Sequence, residues 1–257
     1  MIVLTRPLAQ SRDLAIRLKN DGHAVTQFPL LEVEPLATGS ELHQQLTATL
    51  ANLQRYAMAV FVSPNAIHAV FREGVKWPTQ VAIAVMGDGS RAALAQYGVN
   101  DSNARIVSPV DATHSDSEGL LKQLDLSALQ GRDMVIFRAL TGREHLADAL
   151  TRQGIKIDKV VVYHRFAPEL TTQRSEQLIG LLTWSSNWVV SSSEALRTLE
   201  DMAFRCGGAD AVVKMHQVKL LVSHQRIAQI AEKNGFKHVS LIGLGDENLL
   251  LALQSHL

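Results

Sequence analysis

The residues best suited to chemistry in this chain of 257 residues sit where apolar runs end. "VFVSPNAIHAVF" (60–71), "WVVSSSEALRTL" (188–199) and "LLVSHQRIAQIA" (220–231) each pass from an apolar strand, through a small hydroxyl residue, into an amphipathic helix. A helix start carries free backbone donors and the positive end of the helix dipole, so each junction is a potential seat for an anion. The candidates are Thr5 and Arg6; Ser63, Asn65 and Ala66; Gly87 and Ser90; Arg138, Gly142 and Arg143; Ser191, Ser192 and Ser193; and Ser223 and Arg226. Ser, Thr and Asn also cap helices where no ligand exists, which is the plainer reading of any single junction. Arg138 and Arg143 flank "ALTG", and a guanidinium fork suits carboxylates. Tyr163, in "VVVYHRF", either packs one face with its hydroxyl wet or presents a phenol as donor or weak general acid.

Other chemistries find little support. The ten histidines are scattered without the close pairing that metal ligation needs. "DATHSDSEGLL" gathers Asp111, His114, Asp116 and Glu118, yet reads better as a polar loop capping a helix, so no metal site is expected. Cys206, in "FRCGGAD", reads as a loop residue with no activating partner. Neither a G-x-S-x-G elbow nor a Walker-type phosphate loop is present. "VAIAVMGDGSRAAL" places Gly87, Gly89 and Ala92 in a G-x-G-x-x-A pattern, but the expected acidic partner reduces to Asp111, beyond Pro109. A tight turn before a helix is the better reading.

These junctions must be carried by a repeating scaffold. "MIVLT", "AMAVFVS", "VAIAVMG", "DMVIFR", "NWVVSS" and "VKLLVS" are continuous apolar runs, the mark of strands buried on both faces of a parallel sheet. Gly22, Gly98, Gly154 and Gly235 stand where helices should end before the next strand. Alternating strand and helix units predict an α/β fold. Two proline-marked stretches, "FPLLEVEPLATGSE" and "VVVYHRFAPELTTQ", read as crossings near 33–37 and 163–168. The expected domains are 1–34 with 167–257, and an inserted 37–163.

Composition sets the outer bounds. The 25 basic and 25 acidic residues cancel, so no overall field argues for nucleic acid or a membrane surface, and anion affinity must be local. The single cysteine suits a reducing compartment, and the amino terminus lacks the pattern of a secretory signal. A cytoplasmic location is expected.

Taken in order, "IVLTRP", "FVSPNAIHAVF", "AVMGDGSRAALAQYG", "SEGLL", "VIFRALTGREHLADALTRQG", "VVYHRF", "WVVSSSEAL" and "LLVSHQRIAQIAEKNGF" resemble the uroporphyrinogen-III synthase (HemD) family over nearly the whole chain. The least similar stretches are "ATGSELHQQLTATLANLQRY" and the carboxyl-terminal tail. The resemblance implies two parallel-sheet, three-layer, flavodoxin-like α/β domains joined by a two-stranded connector, with the site in a cleft between them. It implies cyclisation of hydroxymethylbilane to uroporphyrinogen III, with loss of water and inversion of the last pyrrole ring through a spiro intermediate. No cofactor or metal is implied. The small-molecule substrate would be met by a monomer, with transient contact to hydroxymethylbilane synthase.

By position, Tyr163 matches the family tyrosine proposed to assist departure of the hydroxyl group. Ser90 stands where the family usually has threonine, which keeps a hydroxyl. "LLVSHQRIA" departs from the family's Gly-Pro and threonine, at Ser223 and Arg226. Two other readings compete: a two-lobed binding module for a polyanionic metabolite without turnover, and a nicotinamide-dependent enzyme resting on Gly87 and Gly89.

Overall fold

A computed structural model of the chain describes residues 1–110, 117–142, 144–183, 186–243 and 245–254. Asp111, His114, Asp116 and Arg143 lie outside the described residues. The chain forms two compact units, Met1–Glu32 with Phe166–Leu257, and Val33–Arg165.

The first unit holds β1 (Ile2–Leu4), α1 (Leu8–Asn20) and β2 (Val25–Gln27) from the start of the chain. From its end come α8 (Thr172–Thr183), β9 (Asn187–Val190), α9 (Ser193–Met215), β10 (Lys219–Val222), α10 (Gln225–Lys233), β11 (His238–Leu241) and α11 (Asp246–Gln254). Its strands lie in the order β11-β10-β9-β1-β2, and every neighbouring pair is parallel.

The second unit holds β3 (Glu32–Pro35), α2 (Glu41–Ala51), β4 (Met58–Phe61), α3 (Pro64–Arg72), β5 (Ala82–Val85), α4 (Asp88–Ala95) and β6 (Ile106–Val107). It continues with α5 (Ser117–Leu121), α6 (Leu126–Leu129), β7 (Asp133–Ala139), α7 (His145–Arg152) and β8 (Lys156–Phe166). Its sheet runs β3-β8-β7-β4-β5-β6, parallel from β8 through β6. The two strands at which the chain passes between units, β3 and β8, are neighbours.

The apolar runs are continuous because each sheet is covered on both faces, and successive side chains alternate between them. Along β4, Ala59 and Phe61 join one buried cluster, with Ile67 and Val70 of α3 and Leu94 of α4. Met58 and Val60 join the opposite cluster, with Leu120, Leu146 and Leu150. In β10, Leu220 and Val222 face Leu196 and Ile227, while Leu221 faces Leu14 and Leu250. Both units are therefore three-layer α/β domains.

Sequence signal and structure part at Cys206. The sequence predicts a loop at Cys206, but the residue lies inside α9, which bends where Gly207 and Gly208 leave helical geometry. A Cβ on Gly207 would stand 2.9 Å from that of Ala211, so close packing rather than a loop explains this glycine. The outer strand β11 is mostly exposed, since it has a neighbour on one side only.

Candidate functional site

In a parallel α/β sheet, ligands bind beyond the carboxyl ends of the strands, where helices begin. Strand order decides which candidates share an edge. In the second unit β8, β7, β4 and β5 are consecutive and parallel. Tyr163, Arg138 with Gly142, Ser63 with Asn65 and Ala66, and Gly87 with Ser90 therefore line one edge. In the first unit β10, β9 and β1 are consecutive and parallel. Ser223 with Arg226, Ser191 to Ser193, and Thr5 with Arg6 line its carboxyl edge.

The junctions differ in what they leave available. Ser63 caps α3, and its Oγ accepts the Ala66 N–H at 3.2 Å. The Ala66 amide, an expected substrate donor, is thus already taken by the cap. Ser192 does the same at α9, accepting the Ala195 N–H at 3.0 Å, beside Ser191 and Ser193. At α10 the cap is not Ser223 but His224, whose Nδ1 accepts the Arg226 N–H at 3.1 Å. Sequence reading passed over His224 because imidazole is not among the usual caps. By contrast, Gly87 begins α4 with no side-chain cap, at φ 154° and ψ −167°. Ser90, three residues on, is buried and donates its amide to Gly87 O.

Thr5, Arg6 and Arg138 are engaged within the protein. Thr5 is buried, and its hydroxyl donates to Val189 O at 2.7 Å. Arg6 pairs with Asp246 at 2.5 Å. Arg138, 8% exposed, binds Glu144 through Nη1 and Ala139 O through Nε. Glu144 also accepts from Lys159 Nζ at 3.1 Å. Hydrogen bonds from Lys159, and then from Arg138, hold the Glu144 carboxyl below its ordinary range. Arg138 Nη2 lies 3.4 Å from where a Cβ on Gly142 would be, so glycine lets this loop lie close to the guanidinium. Glu144 and Lys159 were missed because no spacing rule links residue 144 to residue 159; neighbouring strands bring them together.

Tyr163 is 3% exposed, and its phenolic oxygen lies 3.0 Å from Ser63 Oγ in a partly buried hydrogen bond. Tyr163 stands on β8 and Ser63 just past the end of β4, two strands separated by β7. A bulge makes this reach possible. β7 and β8 pair as Arg138 with Val161 but Ala139 with Tyr163, leaving Val162 as the extra residue. An extra residue breaks the alternation of faces. Val160, Val162 and Tyr163 accordingly all enter the same buried cluster, together with Ala139, the residue paired with Tyr163.

Among the described residues, no group of three or more His, Cys, Asp or Glu side chains could hold a metal. A Cβ on Gly89 would meet Pro64 Cγ at an ordinary 3.9 Å, so nothing packed there demands glycine, and the nicotinamide reading is not favoured.

Comparison with known proteins agrees with this architecture. A family model described as "Uroporphyrinogen-III synthase HemD" matches residues 12–241. A uroporphyrinogen-III synthase of Salmonella typhimurium (strain LT2) is 29% identical over 259 residues, spanning 98% of this chain and 99% of its own. That of Escherichia coli (strain K12) is 28% identical over 261 residues, with the same coverage. Among solved structures, uroporphyrinogen-III synthetase of Helicobacter pylori 26695 superposes with a TM-score of 0.62 at 12% identity, covering 99% of this chain and 98% of its own. A mutant uroporphyrinogen III synthase of Thermus thermophilus gives 0.61 at 14% identity, covering 100% and 98%. At such identities the structures attest the fold alone. With its two parallel-sheet α/β domains and a match running from residue 12 to residue 241, the chain belongs to the uroporphyrinogen-III synthase HemD family.

Proposed function

We propose that the chain closes hydroxymethylbilane into uroporphyrinogen III, with loss of water and inversion of the last pyrrole ring. Family membership supports the reaction, and the Ser63–Tyr163 hydrogen bond of 3.0 Å supports the residue roles. The electron-rich pyrrole expels hydroxide with its own nitrogen lone pair, so little acid strength is needed. The Tyr163 phenol gives its proton to the departing oxygen, and water leaves. Ring closure later releases a proton from the attacking pyrrole carbon, which returns to the phenolate. Ser63 is suited to assist, since its hydroxyl can donate to the phenolate oxygen while accepting the Ala66 amide.

The larger task is conformational. The substrate is flexible, and its acetate and propionate groups must be held so that inversion outruns direct closure. Donors on the carboxyl edge of each sheet would do this. The start of α4 at Gly87, which has no side-chain cap, is the preferred seat in the second unit; the Ser90 amide is already bonded to Gly87 O, so Ser90 would contribute its hydroxyl. Ser191, Ser193, Ser223 and Arg226 are the corresponding candidates in the first. Arg138 contributes by exchanging Glu144 for a substrate carboxylate. No cofactor enters this scheme. The enzyme would act as a cytoplasmic monomer that meets hydroxymethylbilane synthase transiently, which would shorten the free life of a labile substrate. No described helix is long and apolar enough to cross a membrane.

The test supplies freshly made hydroxymethylbilane and separates the product isomers. Type III in excess of the spontaneous type I isomer is expected. Only type I, from folded protein, would reject the reaction; binding with an unchanged isomer ratio would instead favour the non-catalytic polyanion module.

A further inference from the structure

The opposite end of the first unit carries a feature that the proposed reaction does not use. Parallel register aligns Ile2, Asn187, Lys219 and His238 in one row across β1, β9, β10 and β11, at the amino ends of the strands. The next row on the same face is Leu4, Val189, Leu221 and Ser240. Leu4, Val189 and Leu221 lie in the apolar cluster under α1 and α11, as does Ile2. Towards the sheet edge that apolar face turns polar and basic at Lys219, His238 and Ser240. A cavity of about 580 Å³ opens there, reaching Lys237 and His23 in the adjoining turns and Leu253 of α11. That volume lies within the usual range for small-molecule sites, about 300–1,000 Å³.

Its chemistry is one-sided. Among the described residues, two lysines and two histidines line the cavity and no acidic residue does. No ion pair joins Lys219, Lys237, His23 or His238 to a carboxylate among the described residues. Since basic and acidic residues balance over the whole chain, this is a local choice. Directly paired positions on neighbouring strands present their side chains on the same face, a strand spacing apart. Lys219 and His238 are such a pair. The floor, Ile2, Leu221 and Leu253, is buried and apolar. Cations around an apolar floor suit an anion with a hydrocarbon body better than a bare inorganic ion.

We propose that this cavity binds a small organic polyanion, a carboxylated ring compound with its charged groups on Lys219, Lys237 and His238 and its apolar face on Leu221 and Leu253. The site lies a strand length, about 10 Å, from the carboxyl edge of the same sheet. It stands whether or not the chain turns over hydroxymethylbilane.

The probe is benzene-1,3,5-tricarboxylate, titrated calorimetrically into the intact protein, with inorganic phosphate and benzyl alcohol as the charge-only and ring-only arms. Saturable binding of one tricarboxylate per chain is expected, tighter than either arm. Lys219→Gln with Lys237→Gln should weaken it at least tenfold while leaving turnover unchanged; both lysines are exposed, so the fold should survive. Ser240→Phe, which keeps the charges but fills the cavity, should weaken it as well. Arg226→Gln, at the carboxyl edge of the same sheet, should leave it intact, locating the binding at the amino edge. Equal affinity in wild type and the lysine variant, or no saturable binding, would overturn the site. Phosphate binding more tightly than the tricarboxylate would overturn the ring compound as its ligand.

Discussion

Two tyrosines of the second unit are equally buried, each 3% exposed, yet their partners differ. Tyr56, just before β4 at the amino end of the sheet, donates to the Asp158 carboxylate at 2.6 Å and receives Arg55 Nη2 at 2.7 Å. Burial, and then the carboxylate that holds its proton, push its pKa up to about 12. Tyr163, at the carboxyl end, faces a serine hydroxyl at 3.0 Å. A carboxylate can only accept, so it fixes the phenol proton; a hydroxyl can both accept and donate, so it lets that proton turn elsewhere. Burial does not separate the two tyrosines. The partner does.

That contrast can be broken by substitutions at four positions. Tyr163→Phe should have the largest effect, cutting formation of the type III isomer about a hundredfold if the phenol acts as general acid. Near-native folding by circular dichroism is expected alongside, and wild-type kinetics would return Tyr163 to a packing role. Ser63→Ala should follow, costing about 1 kcal/mol of stability through the lost helix cap. It should also lower turnover by less than Tyr163→Phe, since the phenol remains; Ser63→Thr should restore both, as read by urea melts and initial rates.

Tyr56→Phe should leave turnover unchanged and cost about 1 kcal/mol of stability. Its signature is alkaline. Because the folded pKa is raised, the Tyr56 contribution is complete below pH 10 and is lost as pH rises towards about 12. The phenylalanine variant should lack that limb in melts across the same range. Glu144→Gln should have the smallest effect. The folded carboxyl is lowered, so its contribution is present above about pH 4.5 and is lost as pH falls through the folded value. The glutamine variant should show a shallower acid limb, and a lower KM as Arg138 is released. An unchanged KM would remove Arg138 from the binding set.

Much of the scaffold was legible in the chain because its signals are local. Gly22 and Gly235 have φ of 85° and 101° just past α1 and α10, the left-handed geometry that ends a helix and that glycine alone adopts without strain. The apolar runs of β4 and β10 required cover on both faces whatever lay around them. The site was legible only as a set of junctions. Gly207 misled for the same local reason, since a glycine pair reads as a break unless its distance to Ala211 is known.

The amino-acid sequence thus determined the parallel α/β class and the residue types at each strand end, because apolar periodicity and capping act over a few residues. Tertiary structure decided the rest. Strand order set which junctions share an edge, and the bulge opposite Ala139 turned Tyr163 onto Ser63, a hundred residues away. Pairing between strands likewise set Lys219 beside His238, and the adjacency of β7 and β8 brought Glu144, at the start of α7, to Lys159. Such proximities depend on how distant segments pair, and nothing within any one segment encodes them.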